Sequence, residues 1–369
     1  GNEQNGILIF GSNNTIGTDG DGGGIGNENR DDLEGNLIAG NDFFGILVVQ
    51  DRSRVQPFGG TGGANRISGN RIGVAPELGN PAVPNELGGV YIRASNNLIG
   101  IDGNGASDEF EANEITNNGN DGIYIHSGTG NTVRGNSIYD NGSGVDDLGI
   151  DLGRTDGVTE NDAGDGDVGA NRLQNFPTIT AATVSLPLPS DPFGPCRITV
   201  DVDLSDFEAG APIVVDVYES DAPDASGNGE GKDYLGSVNA IGGGVAQFIY
   251  EFSSADLTDC LAVNRGFITT TATHVILGDT SEFSDAVEIQ DAAPAPPAHE
   301  DDRSTVAVSE SSVSDVWTFE EDASAYDNWE TLPVAAIDDS GAFADSITRD
   351  SVTENESELL IDLVFSGEF

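Results

Sequence analysis

The chain has 369 residues, 64 of them acidic against 14 basic, for a formal net charge of −50. That balance argues against a nucleic-acid partner, because no basic patch is available to neutralise phosphates. No apolar run approaches the roughly 18 residues of a membrane-spanning helix, so no membrane insertion is expected.

The acidic excess is spread along the whole chain, and Lys232 is the only lysine. Self-repulsion of this size destabilises a compact fold at low ionic strength. It becomes tolerable where salt shortens the Debye length to about 3 Å at 1 M. The pattern resembles proteins of extreme halophiles. The 50 glycines and the abundant Asn, Thr and Val suit an all-β protein.

Two phrases recur from the N-terminus onward. Glycine followed by alternating aliphatics appears as GILI from Gly6, GILV from Gly45, GVYI from Gly89, GIYI from Gly122 and GIDL from Gly149. Asn-x-aliphatic-x-Gly-Asn appears at 36–41, 65–70 and 131–136, with NEITNN at 113–118 as a variant and NTIG and NLIG as echoes. These runs are too short for helices and lack a 3.6-residue period. Each reads as a strand of three to five residues, ended by Asn or Gly, which tolerate a left-handed bend. Repeating units of about 20 to 25 residues with several short strands predict a solenoid, in which stacked coils bury one another's apolar faces. Asparagines at matching corners are expected to form side-chain ladders. The segments 18–32 and 75–86 read as inserted loops.

The stretch 149–177, GIDLGRTDGVTENDAGDGDVGANRLQNFP, then leads out of the repeats. With the NxIxGN phrases it resembles the junction of right-handed parallel β-helix repeat proteins, large secreted or surface proteins of bacteria and archaea. The resemblance implies a β-helix over 1–176 and a small Ig-like β-sandwich over 177–290. The alternating runs CRITVDVDL from Cys196, PIVVDVY from Pro212, AQFIYEF from Ala246 and GFITTTAT from Gly266 fit such a sandwich. Residues 291–303 form a Pro- and Ala-rich acidic linker. Residues 304–369 are expected to hold a small β module or an assembly strand, built on Glu358, Leu360, Ile361, Leu363 and Phe365, that pairs with a neighbouring sheet edge.

Candidate chemistry is sparse. Asp162, Asp165 and Asp167 lie close together in a Gly-rich loop, and a hard cation such as Ca²⁺ takes several oxygen ligands from such a loop. The segment TDGDGG from Thr18 and the trio Asp221, Asp224 and Glu230 are weaker versions of the same idea. Cys196 and Cys260, an even count in a protein of extracellular character, are expected to pair as a disulfide. Asp121, Asp146, Asp147 and Asp151 could serve a polysaccharide hydrolase, which needs two carboxylates on one face. Arg93 and Arg134 are expected to be outward charges paired with acids, and His126 a surface residue at a corner. There is no nucleophile elbow, phosphate loop or Cys/His cluster. The expected role is therefore a non-enzymatic structural or adhesive protein of a cell or virion surface, which self-associates, binds neighbouring surface proteins or holds glycans. A polysaccharide lyase or hydrolase is the alternative, and a viral tail fibre or spike a third reading.

Overall fold

The computed structural model describes residues 1–20, 34–49, 63–75, 82–185, 195–252, 266–292, 347–355 and 358–365. Two compact units result, Gly1–Ala292 and Ala293–Phe369.

In the first unit the two sequence phrases become strands of three parallel sheets. The Gly-led phrases form the first sheet: β1 (Ile7–Ile9), β4 (Phe44–Val49), β7 (Gly88–Arg93), β10 (Ile123–Ser127) and β13 (Ile150–Leu152). The second sheet holds β2 (Thr15–Gly17), β5 (Arg66–Ser68), β8 (Leu98–Gly100) and β11 (Thr132–Arg134). The third holds β3 (Leu37–Ile38), β6 (Arg71–Ile72), β9 (Glu114–Thr116) and β12 (Ser137–Tyr139). The chain therefore visits the first, second and third sheets in turn, circuit after circuit, so every neighbouring pair is parallel. The Asn phrase serves the second sheet in NRISGN and NTVRGN, and the third in NLIAGN and NEITNN.

Alternation along each strand places one aliphatic row inside. Ile46, Val90, Ile123 and Ile150 align in register on the first sheet, Ile67, Ile99 and Val133 on the second, and Ile72, Ile115 and Ile138 on the third. All are buried in one core. Full burial of such a side chain is worth about 1.5–3 kcal/mol. Close stacking of circuits also demands glycine at Gly17, Gly73 and Gly100. Each has φ near +95°, and a Cβ there would meet a carbonyl oxygen of the next circuit at 2.0 Å or less.

The expected asparagine ladders are present, one at each corner. The first runs Asn2, Asn41, Asn85, Asn118, Asn141; the second Asn14, Asn65, Asn97, Asn131; the third Asn36, Asn70, Asn113, Asn136. Within each ladder the side-chain amide donates to Oδ1 of the next asparagine at 2.7–3.0 Å. Where two circuits follow without insertion the rungs are 23 residues apart, as for Asn113 and Asn136.

The described residues between 178 and 291 form two four-stranded sheets around a second core. One contains β14 (Thr178–Ser185), β15 (Cys196–Asp203), β18 (Val245–Phe252) and β21 (Gln290–Asp291); the other β16 (Pro212–Ser220), β17 (Asp233–Ile241), β19 (Phe267–His274) and β20 (Val287–Glu288). This half and the parallel sheets belong to one unit, because it covers the last circuit. The N–H groups of Val133, Gly135, Ile138 and Leu152 donate to Thr280 Oγ1, Tyr218 Oη, the Gly231 carbonyl and Glu282 Oε1. Glu230 takes the place of a sixth asparagine in the first ladder, accepting from the Asn141 backbone and side chain at 3.1 and 2.9 Å. Asn171 ends the second ladder, accepting from the Asn131 backbone. Every one of these groups would otherwise be an open edge. Tyr218 and Phe283 also join the core of the parallel sheets.

The second unit is described only over β22 (Ile347–Asn355) and β23 (Glu358–Phe365), an antiparallel pair. The expected assembly strand is β23: Glu358, Leu360, Ile361, Leu363 and Phe365 face Asn355, Thr353, Val352, Arg349 and Ile347. One of its two edges is thus used by its own neighbour. The residues 293–303 of the expected linker lie outside the described residues.

Candidate functional site

The outward face of the first sheet carries the most unusual side chains. Residues one position out of phase with the buried isoleucines must point outward. In register these are Leu8, Leu47, Tyr91, Tyr124 and Asp151. The apolar and aromatic part of this row extends sideways to Phe44 and His126. Ring centroids lie 4.6 Å apart for Phe44 and Tyr91, 5.1 Å for Tyr91 and Tyr124, and 5.8 Å for Tyr124 and His126. The first two pairs join adjacent strands and the third lies along β10, all with edge-on or tilted ring contacts. All four rings are half-buried. Burial, then Arg93 and Arg154, pushes His126 below its ordinary value. Its Nδ1 is buried without a hydrogen-bond partner.

At the end of the row an acid replaces the ring. Asp151, on β13, is wholly buried, and neither carboxylate oxygen has a hydrogen-bond partner. Carboxylate oxygens of Asp121, Asp151 and Asp156 lie within 4.8 Å of one another. Asp121 lies two residues before β10 and accepts the Leu148 N–H at 2.8 Å; Asp156 is exposed in the loop after β13. Burial, followed by Asp121, Glu282 and Asp156, pushes Asp151 up to about 9, with only the nearby Gly157 N–H acting the other way. Burial also raises Asp121 to about 7, against the Leu148 N–H and with Asp156 and Asp147 adding to the rise. Glu282, which caps Leu152, is raised to about 7 by burial. The strongest charges on this group are therefore other acids, in a place shielded from water.

A second carboxylate group, Asp102, Asp108 and Glu111, already contains its cation. Arg66 pairs with Asp102 at 3.0 Å and with Glu111.

The residues expected from the sequence to hold Ca²⁺ do not gather in this way. Asp165 accepts the Asn175 N–H at 2.9 Å and the Gln174 amide, Asp162 accepts the Gly166 N–H at 3.2 Å, and Asp167 points into an exposed stretch. The loop is held by its own hydrogen bonds, and three-carboxylate groups among the described residues lie elsewhere. Asp221 pairs with Lys232, Asp224 closes a turn with Ser226, and Glu230 caps a ladder, so that trio is divided among three tasks. Residues 21–23 of the TDGDGG segment lie outside the described residues. Cys196 is fully buried and no described cysteine is a free thiol; Cys260 falls outside the described residues. Arg134 does pair with an acid, as expected, but beneath the two antiparallel sheets rather than at an open surface. Its Nε and Nη2 hold both oxygens of fully buried Asp216 at 2.8 and 2.7 Å.

Asp121 and Asp151 stood out in the sequence only as two of several acids. What separates Asp151 is its phase: it occupies an outward position in a column that is otherwise apolar or aromatic. Asp156 has no such signal. No family model matches the chain, and no curated protein matches it.

Proposed function

We propose that the first unit is a right-handed parallel β-helix closed at one end by an Ig-like β-sandwich. We further propose that it serves as a rigid extracellular surface element, a layer, filament or fibre component of a halophilic microbe or its virus. The observation that carries this reading is the cap. The first asparagine ladder and the last-circuit N–H groups of Val133 and Leu152 end on Glu230, Thr280 and Glu282 of the sandwich, and the second ladder ends on Asn171 just before it, so stalk and sandwich form one stiff body rather than beads on a linker. A stiff body with a repeating flank suits lateral assembly or adhesion. The half-buried ring row on the first sheet is the surface where we place contact with a glycan, since sugar faces stack on aromatic rings.

The alternative, a polysaccharide lyase or hydrolase, would find its best acid pair in Asp121 and Asp151. Both are buried, and a general acid must come within hydrogen-bond reach of the glycosidic oxygen. The non-enzymatic reading is the better fit.

Electron microscopy of the full chain at molar salt tests it. Filaments or arrays are expected, and β23 is the proposed joint. Deleting 358–365 should abolish assembly and leave the melting of the first unit unchanged. Monodisperse particles that cleave a uronic-acid polymer would replace this reading with the enzymatic one, and light scattering would reveal a closed trimer if the chain is a tail fibre.

A further inference from the structure

Buried carboxylates are expensive unless something satisfies them. Among the described residues each buried acid but one has a donor. Glu111 has Arg66, Asp216 has Arg134, Asp279 has Arg172, Glu230 has Asn141, Glu282 has the Leu152 and Thr159 N–H groups, and Asp121 has the Leu148 N–H. Asp151 has none at either oxygen, though it is fully buried. A proton would quench the charge of Asp151 but would leave the other two carboxylates converging on it. An unpaired buried group of this kind calls for a water or an ion.

The surroundings select the ion. A Ca²⁺ held at 2.3–2.6 Å from each ligand spans oxygens up to about 5 Å apart across its diameter. The three carboxylates lie within 4.8 Å of one another, which one ion can bridge. They come from three separate segments: the approach to β10, the middle of β13, and the loop that follows β13. Two are buried and one is exposed, which leaves a side open for water ligands and for entry. The neighbouring charges, Asp147 and Glu282, are again acids.

We propose that Asp121, Asp151 and Asp156 form a binding site for one hard divalent cation, Ca²⁺ by preference, which fastens the last circuit to the loop behind it. The ion would sit beside Glu282, the residue that caps the end of the first sheet, and so tie down the junction of the two halves. This placement rests on the carboxylate geometry alone and stands or falls apart from the surface role proposed above.

The test uses the full chain at molar NaCl, where diffuse binding to the acidic surface is screened. Tb³⁺ is the probe, with Ca²⁺ and Mg²⁺ as competitors. Tyr124 lies directly across from Asp151 in the parallel register, so a bound Tb³⁺ would be excited through that tyrosine. The expected result is one saturable luminescent site per chain, displaced by Ca²⁺ at lower concentration than by Mg²⁺. Asp151→Asn should weaken it about 100-fold or more. Asp156→Asn changes an exposed residue, cannot unfold the chain by burial, and should weaken binding as well. Tyr124→Phe should dim the luminescence while calorimetric Ca²⁺ binding persists. No saturable site, or a site equally tight in Asp151→Asn and Asp156→Asn, overturns the proposal.

Discussion

Replacing Asn113 by alanine should damage the fold far more than its small size suggests. Asn113 is 1% exposed and sits inside the third ladder. Its Oδ1 accepts from Asn70 N and Asn70 Nδ2 at 2.9 and 3.0 Å, and its Nδ2 donates to the Ile67 carbonyl and Asn136 Oδ1, each at 2.8 Å. Alanine removes all four bonds. The Asn70 amide retains the Ile16 carbonyl, and Asn136 Oδ1 retains the Asn113 N–H at 3.1 Å. The Asn70 N–H and one acceptor site of the Ile67 carbonyl are left buried and bare. Two such orphans at about 1–3 kcal/mol each, with the weaker losses added, give about 4 kcal/mol. Asn14 is exposed at the far end of the second ladder, and Asn14→Ala should cost less than about 1 kcal/mol by the same reasoning. Urea unfolding at molar salt measures both, and the midpoint should fall with unchanged slope. If Asn113→Ala and Asn14→Ala cost the same, the ladders are ornament and the reasoning fails.

Arg134→Ala strands the fully buried Asp216 carboxylate and should destabilise by about 3–5 kcal/mol, whereas Arg134→Met with Asp216→Leu should recover most of that in the same urea assay. Glu230 gives a pH signature. Burial, with Asp224 and Asp140 adding to it, raises it to about 8 against the Asn141 donors. Its folded value lies above its ordinary 4.5, so its proton favours the folded form. That contribution is complete below about pH 4.5 and is lost as the pH rises through about 8, on the order of 5 kcal/mol in total. Glu230→Gln should flatten the stability profile across that window, and an unchanged slope would contradict the assignment.

The periodic parts of the fold were legible because their physics is local. A Gly-led aliphatic alternation can only bury one row, and an Asn phrase that starts and ends at a bend places its asparagines at corners. The cap was illegible for the opposite reason. Glu230, Thr280 and Glu282 meet the last circuit across 89, 147 and 130 residues of chain, and nothing in GDTSE or GNGEG marks them as partners of strands. The Gly-rich acidic loop 161–171 had the composition of a cation site without its convergence. Its carboxylates turn onto nearby backbone and amide donors, an option open to any short loop rich in Asp, Asn and Gly. Asp151 sits in a strand, where its own main chain is committed to the sheet, and the nearby Gly157 N–H does not reach it in hydrogen-bonding geometry.

The acids of this chain therefore fall into two populations that should respond to salt differently. Exposed carboxylates carry most of the charge of −50, and their repulsion reaches across a Debye length that grows from about 3 Å at 1 M to about 10 Å at 0.1 M. Lowering the salt should lower the melting temperature of the whole chain. The pair Arg134–Asp216 is buried behind both halves of the first unit, with 13% and 0% of the two side chains exposed. Mobile ions cannot enter between them, so their coupling in a double-mutant cycle should change by less than about 0.5 kcal/mol between 0.1 M and 2 M NaCl. A coupling that collapses in step with the melting temperature would mean that water and ions reach the junction, and that the sandwich does not seal the last circuit.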